Sequence, residues 1–355
     1  MGSARSTVGD VARAAGVTPS TVSRTLNRPD RVSTETRERV LRAVEEVGYI
    51  PNAAARALRV GSSKAFGLVL LGFGNPFFVD IADAVEAAAL EHGAVVALYS
   101  SGRDEQREQR LLQRLGERQL DGLIVTPLDV DDPLLDVLVA RGTPVVVLLR
   151  EVASGRHCSV RGDDVLGGRL AGQHLLDGGH RRLAYAGVVR TERYEGAAAV
   201  WERGRADFRW FQTVGADVED GVGVVERLAA MPAAQRPTAV FCENDLIAVG
   251  VVQEARRIGL SVPEDLAVVG FDDTLLASAA SAVGLTTVRQ PGADMARAAL
   301  ALLLEEVEAG HERHREVLFK PELIVRASSG VPAPAMPKAP RRRATRAKTP
   351  PTSGS

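Results

Sequence analysis

The sequence predicts an α/β chain with an all-α N-terminal part and a body of two doubly wound α/β lobes. Three observations carry this prediction. Residues 7–47 break into three short helix-patterned segments around a tight glycine turn. From residue 66 onward, apolar runs rich in Val and Leu alternate with helical stretches. The chain has 355 residues, room for two or three domains at roughly 100–200 residues each.

Composition is ordinary for a globular protein, 45% hydrophobic and 25% charged. No apolar run reaches the roughly 18–20 residues of a membrane span. The N-terminus has no basic-then-apolar signal pattern, so a cytoplasmic protein with no membrane partner is expected. The net charge of −1 argues against nucleic acid until it is resolved along the chain. Residues 1–60 carry ten arginines against six carboxylates, net +4. Residues 331–355 carry six basic residues and no acids, net +6, and the middle carries 28 against 39, net −11. A basic head and tail around an acidic body is the asymmetry of a nucleic-acid-binding part joined to something else.

In the head, Thr7 can cap a first helix carrying Val8, Val11 and Ala14/Ala15. Gly16-Val17-Thr18 breaks it, glycine being the residue that turns most cheaply. Thr18 caps a second helix with Pro19 at the first position, where its missing N–H costs nothing. Val22 and Leu26, spaced i, i+4, face inward. Ser33 or Thr34 caps a third helix with Val40, Leu41, Val44 and Val47 on one stripe, stopped by Gly48. Two short helices joined by a tight turn and braced by a third form a helix-turn-helix, which lays its second helix in the major groove. The outward face of that helix is Pro19, Ser20, Thr21, Ser23 and Arg24, with Asn27 just after. Hydroxyls and amides contact base edges or phosphates, and Arg pairs best with guanine. The same spacing also fits a small helical bundle with a solvated polar face.

Residues 51–59 hold good helix formers after Asn52 but one large apolar residue, Leu58. Such a short segment reads as a linker, helical only when supported. Leu58 beside Arg59 suits a minor-groove wedge; an ordinary hinge is the other reading.

The segments Thr7-Val-Gly-Asp10-Val11-Ala12, Gly16-Val17-Thr18-Pro-Ser-Thr21-Val22-Ser23-Arg24, Leu26-Asn27, Val32-Ser33-x-x-Thr36-Arg37 and Gly48-Tyr49-x-Pro51-Asn52-x-x-Ala55-x-x-Leu58 resemble, in order, the head of the LacI/GalR family of bacterial repressors. The resemblance implies a homodimer in which each head reads half of a near-palindromic double-stranded operator. It implies hinge helices that pair on DNA, with Leu58 wedged into the central minor-groove step and Arg59 along that groove. The DNA-binding set it implies is Thr7, Pro19, Ser20, Thr21, Ser23, Arg24, Asn27, Tyr49, Asn52, Ala55, Leu58 and Arg59. Family members differ in operator choice at the positions of Pro19 and Ser20. Pro19 offers no donor, so Ser20 and Arg24 are the main expected base readers.

The body reads as strands over 66–71, 95–99, 122–126, 145–149, 183–186, 239–242 and 266–271, continuous apolar runs as in parallel strands buried on both faces. Helical stretches lie at 81–92, 105–118, 166–176, 220–230 and 246–258. In such topology ligands sit at the C-terminal ends of strands. Gly72-Phe-Gly74-Asn-Pro76-Phe77 follows a strand and opens a helix, but the third glycine of a dinucleotide fingerprint is missing.

The resemblance extends through the body. Asn75-Pro76-Phe77-Phe78, Leu120-Asp121-Gly122-Leu123-Ile124, Gly178-Gly179-His180-Arg181, 237–245, 262–273, 285–288 and 321–326 resemble family motifs. They imply a periplasmic-binding-protein-like core whose effector candidates are Phe77, Phe78, Asp163, Arg193, Asn244 and Asp272. Carboxylate, amide and guanidinium groups with an aromatic platform suit a polyhydroxylated ligand, a sugar by default. Each also has a structural reading: Asp163 and Asp272 lie where carboxylates cap the next helix, and helix-start packing fits the phenylalanines. Three departures stand out: Leu149 where the family often has Asp, Arg193-Tyr-Glu-Gly196-Ala197 where it has Arg-x-x-Gly-Phe, and a short 187–196 with no aromatic at Ala216. Region 188–218, with Trp201, Phe208, Trp210 and Phe211, is the least family-like.

No catalytic site, metal site or cofactor is expected. His311 and His314 lack a carboxylate-His zinc motif, no Gly-x-Ser-x-Gly elbow occurs, and Cys158 and Cys242 read as small core residues in a reducing compartment. The tail reads as disordered and basic, without the leucine heptad of a tetramer. The expected layout is a DNA-binding domain at 1–50, a hinge at 51–64, a two-lobed effector and dimerisation domain at 65–330, and the tail at 331–355. The expected function is a cytoplasmic, operator-binding regulator, nucleoid-associated when bound and controlled by a small effector. The rival is a cytosolic solute-binding or sugar-processing protein whose head only mediates association.

Overall fold

A computed structural model describes residues 6–49, 62–117, 120–152, 155–277, 284–310 and 313–330. The expected contacts at Asn52, Ala55, Leu58 and Arg59, and the tail, lie outside these residues. The chain separates into two units, Met1–Ala65 with Gln119–Asp121, and Phe66–Arg118 with Gly122–Ser355.

The first unit holds α1 (Val8–Ala15), α2 (Pro19–Asn27) and α3 (Thr34–Glu46), with a 3-10 turn at Pro29–Arg31 that the sequence reading lacked. Thr7, Thr18 and Ser33 cap the three helices by accepting from the backbone N–H of Asp10, Thr21 and Thr36. Gly16 ends α1 with φ +62°, a left-handed conformation that glycine adopts without strain. Val11, Ala12, Ala15, Val22, Val40 and Ala43 form the core, with Leu26, Val44, Val47 and Tyr49 against it. Leu41 is exposed and Ala43 takes its expected place. At about 100° per residue, position 41 turns off the stripe set by 40, 44 and 47. In the same unit, the Asp121 carboxylate accepts from Ser62 Oγ (2.6 Å), Ser63 N and Oγ (both 2.8 Å) and Lys64 N (2.8 Å). Burial raises its pKa, but these bonds outweigh it and hold it below the ordinary carboxylate value.

The second unit contains two six-stranded sheets. Sheet 1 comprises β1 (Ala65–Leu70), β2 (Val95–Ser100), β3 (Gly122–Val125), β4 (Val145–Leu148), β5 (Cys158–Gly162) and β11 (Glu316–Phe319), in the order β11-β5-β4-β3-β1-β2. Sheet 2 comprises β6 (Arg182–Gly187), β7 (Asp207–Gln212), β8 (Ala239–Cys242), β9 (Ala267–Asp272), β10 (Thr286–Arg289) and β12 (Glu322–Ile324), in the order β12-β10-β9-β8-β6-β7. The β10–β12 pair is antiparallel, and the other sheet 2 pairs are parallel. The connecting helices are α4 (Pro76–Glu91), α5 (Glu105–Leu115), α6 (Pro133–Ala140), α7 (Asp164–Asp177), α8 (Glu192–Arg203), α9 (Val218–Ala229), α10 (Asp245–Arg257) and α11 (Gly292–Ala309). The chain crosses between the sheets three times, after β5, β10 and β11.

Alternation builds the cores. In sheet 2, Ala184, Ala186, Val240, Cys242 and Val268 face one layer, and Leu183, Tyr185, Phe241, Val269 and Phe271 face the other. Each fully buried large side chain contributes about 1.5–3 kcal/mol relative to exposure. Two helix pairs are packed backbone to backbone through glycine. A Cβ on Gly168 would stand 2.0 Å from the Arg193 carbonyl oxygen, and one on Gly196 2.1 Å from that of Val165, so α7 and α8 meet there. Gly221 and Gly250 do the same for α9 and α10, at 2.1 Å from the Ile247 oxygen and 1.9 Å from that of Val218.

Strands β5, β7, β10, β11 and β12 and helices α6, α8 and α11 had no counterpart in the sequence reading. Most of those strands are short or at a sheet edge, where half the residues are polar. β2 differs in the opposite sense: read as buried on both faces, it is an edge strand with Val95 and Leu98 exposed. Region 188–218 folds as α8 and β7, with Trp201 and Phe208 on one side of the sheet, ring centroids 5.4 Å apart, and Phe211 on the other.

Candidate functional site

On α2, Pro19, Ser20, Arg24 and Asn27 are exposed, and Thr21 and Ser23 are half-buried. The Thr18 hydroxyl lies 2.8 Å from that of Ser20 and 3.0 Å from that of Thr21, and the Asn27 amide donates to Ser23 O at 2.6 Å. The Arg24 side chain has no such tether among the described residues. Thr7 is exposed and donates its hydroxyl proton to Asp10 Oδ2 at 2.7 Å. That bond, with a backbone bond from Thr7 and the Arg13 guanidinium, holds Asp10 at about 2. Tyr49 is half-buried against the three-helix core.

In the body, polar side chains gather at the C-terminal ends of strands from both sheets, as open α/β sheets place their ligands. Asn75 follows β1, Arg150 follows β4, Asp163 follows β5, Glu243 and Asn244 follow β8, Asp272 ends β9 and Gln290 follows β10. Arg193 comes from the first turn of α8. The Asp272 carboxylate accepts from Asn75 Nδ2 and from Gln290 Nε2, each at 2.9 Å. The first bond links a residue following sheet 1 to one ending a strand of sheet 2. Burial pushes Asp272 up to about 6 against the pull of Arg193, Asn75 and Gln290. Asp272 at φ +106° and Leu149 at φ +63° both sit in the left-handed region, a strain of about 1–3 kcal/mol each that recurs at ligand sites.

Arg193 is held through Nε, Nη1 and one face of its guanidinium. Its Nε donates to Asp164 at 3.0 Å, its Nη1 donates to Glu243 O at 2.7 Å, and its guanidinium carbon lies 3.7 Å from the Phe271 ring centroid. Burial works against its charge, but Asp164, Asp272, Tyr185 and Glu243 outweigh it and raise its pKa. Arg150 is different. Its hydrogen bond among the described residues is Nε to Pro127 O at 3.3 Å. Burial, then the charges of Arg193 and Arg103, lower its pKa, while Asp164 and Glu243 pull the other way.

The other expected effector residues have structural work. Asn244 caps α10 through Oδ1 and donates to Ala216 O at 2.9 Å. Asp163 caps α7 by accepting from Leu166 N at 2.8 Å. Phe77 and Phe78 are both buried in the sheet 1 core, rings 5.9 Å apart. The sequence reading missed Asn75, Arg150, Glu243 and Gln290, and also Arg190, which stacks on Tyr194 and Trp210 at 5.3 and 5.0 Å. One signal pointed at Arg150: it adjoins Leu149, already noted as a departure.

The model of the bacterial regulatory proteins of the lacI family matches residues 7–52, and that of the periplasmic binding protein-like domain matches residues 173–329. The chain is 31% identical over 330 residues to the HTH-type transcriptional repressor PurR of Mannheimia succiniciproducens, covering 91% of this chain and 98% of that protein. It is 33% identical over 329 residues to the ribose operon repressor of Haemophilus influenzae, with 91% and 98% covered. Among solved structures, the lac repressor dimer bound to operator and the anti-inducer ONPF matches with a TM-score of 0.77 at 26% identity, covering 92% of this chain and all of that one. The CelR–cellobiose complex matches at 0.66 and 30% identity, over 92% of this chain and all of that one.

A helix-turn-helix joined to a two-lobed, periplasmic-binding-protein-like core defines a class, the transcriptional regulators that bind DNA and a small molecule. This chain belongs to the LacI family. Its partners are those of the family: operator DNA, a second copy of the chain and a small-molecule effector. Among the described residues, no helix is long and apolar enough to cross a membrane.

Proposed function

We propose that the chain is a cytoplasmic, non-enzymatic repressor, nucleoid-associated when bound, whose operator affinity is set by a sugar or sugar derivative. The observation that carries this reading is the Asn75–Asp272 hydrogen bond within a cluster of strand-end polar groups from both sheets. Such a cluster gives a ligand purchase on both lobes. Unequal affinity for two lobe arrangements then shifts their populations, and with them the spacing of the two linkers in a dimer. In this reading residues 1–50 read the operator, 51–64 form the hinge, 65–330 bind effector and dimerise, and 331–355 are a tail. Ser20 and Arg24 read bases, Thr7, Pro19, Thr21, Ser23, Asn27 and Tyr49 shape the contact, and Asn52, Ala55, Leu58 and Arg59 serve the minor groove. Arg193 and Asp272 contact the effector, while Phe77, Phe78, Asp163 and Asn244 frame the site.

The names of the similar proteins, with ribose and cellobiose among them, support a carbohydrate. Arg150 supports a derivative with an acidic group, because among the described residues its guanidinium is bonded through Nε to Pro127 O, and its planar fork suits a carboxylate or phosphate. The test is operator selection from a mixed library at moderate salt, followed by thermal shift against neutral sugars, sugar acids and sugar phosphates. Salt-sensitive, sequence-independent binding alone sinks the regulator reading. Equal shifts from neutral and acidic sugars, unchanged in Arg150→Gln, sink the acidic-group reading.

A further inference from the structure

Away from the cleft, three metal-type donors converge at the end of sheet 1 where β1, β3 and β5 begin. Cys158 opens β5, Glu306 lies in the last turn of α11, and His314 precedes β11. Cys158 Sγ, a Glu306 carboxylate oxygen and a His314 ring nitrogen all lie within 4.8 Å of one another. The Cys158 Sγ to His314 Nδ1 distance is 3.7 Å, and His314 Nδ1 to Glu306 Oε2 is 3.8 Å. Ligands on one tetrahedral zinc ion, with bonds of about 2.0–2.3 Å, stand about 3.4–3.6 Å apart. The two separations from His314 need only a few tenths of an ångström of contraction, and the sulfur and the carboxylate, within 4.8 Å of each other, close around the same ring nitrogen.

We propose that Cys158, Glu306 and His314 form a binding site for one divalent transition-metal ion, by donor chemistry Zn²⁺. A thiol, an imidazole and a carboxylate together suit zinc, whereas Mg²⁺ and Ca²⁺ take oxygen ligands. Sulfur and carboxylate both approach the same ring nitrogen, Nδ1. A nucleophile–base–carboxylate relay needs them on opposite nitrogens, so the geometry suits coordination and not catalysis. Three protein ligands leave a fourth position for water. The side chains of Glu306 and His314 are 11% and 23% exposed, which gives an ion a path to the buried sulfur.

A neighbouring group supports the site. The His157 ring lies 6.4 Å from that of His314, and its Nε2 is 3.1 Å from Asp136 Oδ1. That contact puts the proton on Nε2 and leaves Nδ1 a lone pair, which is buried without a hydrogen-bond partner among the described residues. Such a group is costly, and it lies beside the three donors with its ring 6.4 Å from that of His314. Sequence spacing hid the site because Cys158 and His314 are 156 positions apart. The expectation that the chain has no metal site rested on local motifs alone.

The test uses the full chain without a polyhistidine tag, stripped with chelator and titrated with Co²⁺ and then Zn²⁺. The expected result is a sulfur-to-cobalt charge-transfer band that saturates at one ion per chain and is bleached by Zn²⁺, with a rise in melting temperature. Cys158→Ser should abolish the band, and Cys242→Ser should keep it. Even outer-shell changes cost about 10–100-fold in metal affinity, so His314→Gln, at a partly exposed position, should lose at least about tenfold. No charge-transfer band in the wild type, a band that persists in Cys158→Ser, or unchanged affinity in His314→Gln each overturns the proposal.

Discussion

Arg24 is exposed on the outward face of α2 and free to reach a base edge. Arg24→Ala should cost about 1–3 kcal/mol at one operator position and relax preference there, checked by affinity across single-base operator variants. An equal loss on every sequence would make it a phosphate contact. A second residue-scale prediction concerns Asp245, which is buried and accepts from Thr287 Oγ1 (2.6 Å) and Thr274 N (2.7 Å). Burial, then the nearby Asp272 charge, pushes it up to about 7. The native state therefore holds a proton that the unfolded chain has lost, and this contribution to stability falls as pH rises from about 4 to 7. Asp245→Asn removes that loss, so its stability relative to wild type should climb over the same window, by at most about 1.4 kcal/mol per pH unit. Denaturant melts at several pH values check this, and a flat difference would sink it. At this scale the sequence was legible where one residue does one local job: the caps Thr7, Thr18 and Ser33 could be read from their spacing. Arg150 and Gln290 were illegible because their roles depend on strands far apart in the chain.

The α9–α10 crossing tests how elements meet. Alanine outranks glycine in a helix by about 1 kcal/mol, so Gly250→Ala would stabilise an isolated helix. Here its Cβ would stand 1.9 Å from the Val218 oxygen. The helices must separate, and the variant should lose about 1–3 kcal/mol or more in thermal or urea unfolding. A gain would mean that the contact relaxes freely. Strands β3, β4, β8 and β9 were legible because they are apolar on both faces. β7, which reads Asp-Phe-Arg-Trp-Phe-Gln, hid its alternation among charges. Helix α8 was missed for a related reason: Gly196 and its alanines look weakly apolar, yet they are what lets α7 approach so closely.

Across the whole molecule, Asn75 offers a reversible test of lobe coupling. Asn75→Asp keeps a good helix cap but sets a carboxylate against Asp272. Losing the Asn75 bond and facing a like charge push Asp272 further up, so at alkaline pH, where both are charged, the lobes should part, the radius of gyration should rise in X-ray scattering, and effector affinity should drop about tenfold. Below about pH 6 Asp272 takes up a proton and the effect should fade. A difference that persists unchanged at pH 5 would sink the electrostatic explanation. The charge distribution gives a second test. Removing residues 331–355 takes away six cations, so the dependence of non-specific DNA affinity on salt should become shallower while operator preference stays. The head-and-body division was legible in those charges and in the change of period at residue 66; the three crossings between sheets were not, because β5, β11 and β12 are short and say nothing locally about which sheet they join. Those crossings also set an order of synthesis. Sheet 1 lacks an edge strand until Phe319 has left the ribosome, and sheet 2 until Ile324 has. Neither lobe is a contiguous stretch, so the nascent chain must shelter two incomplete sheets until residues 316–324 are made, and a premature stop before residue 316 would strand both with open edges, prone to aggregate.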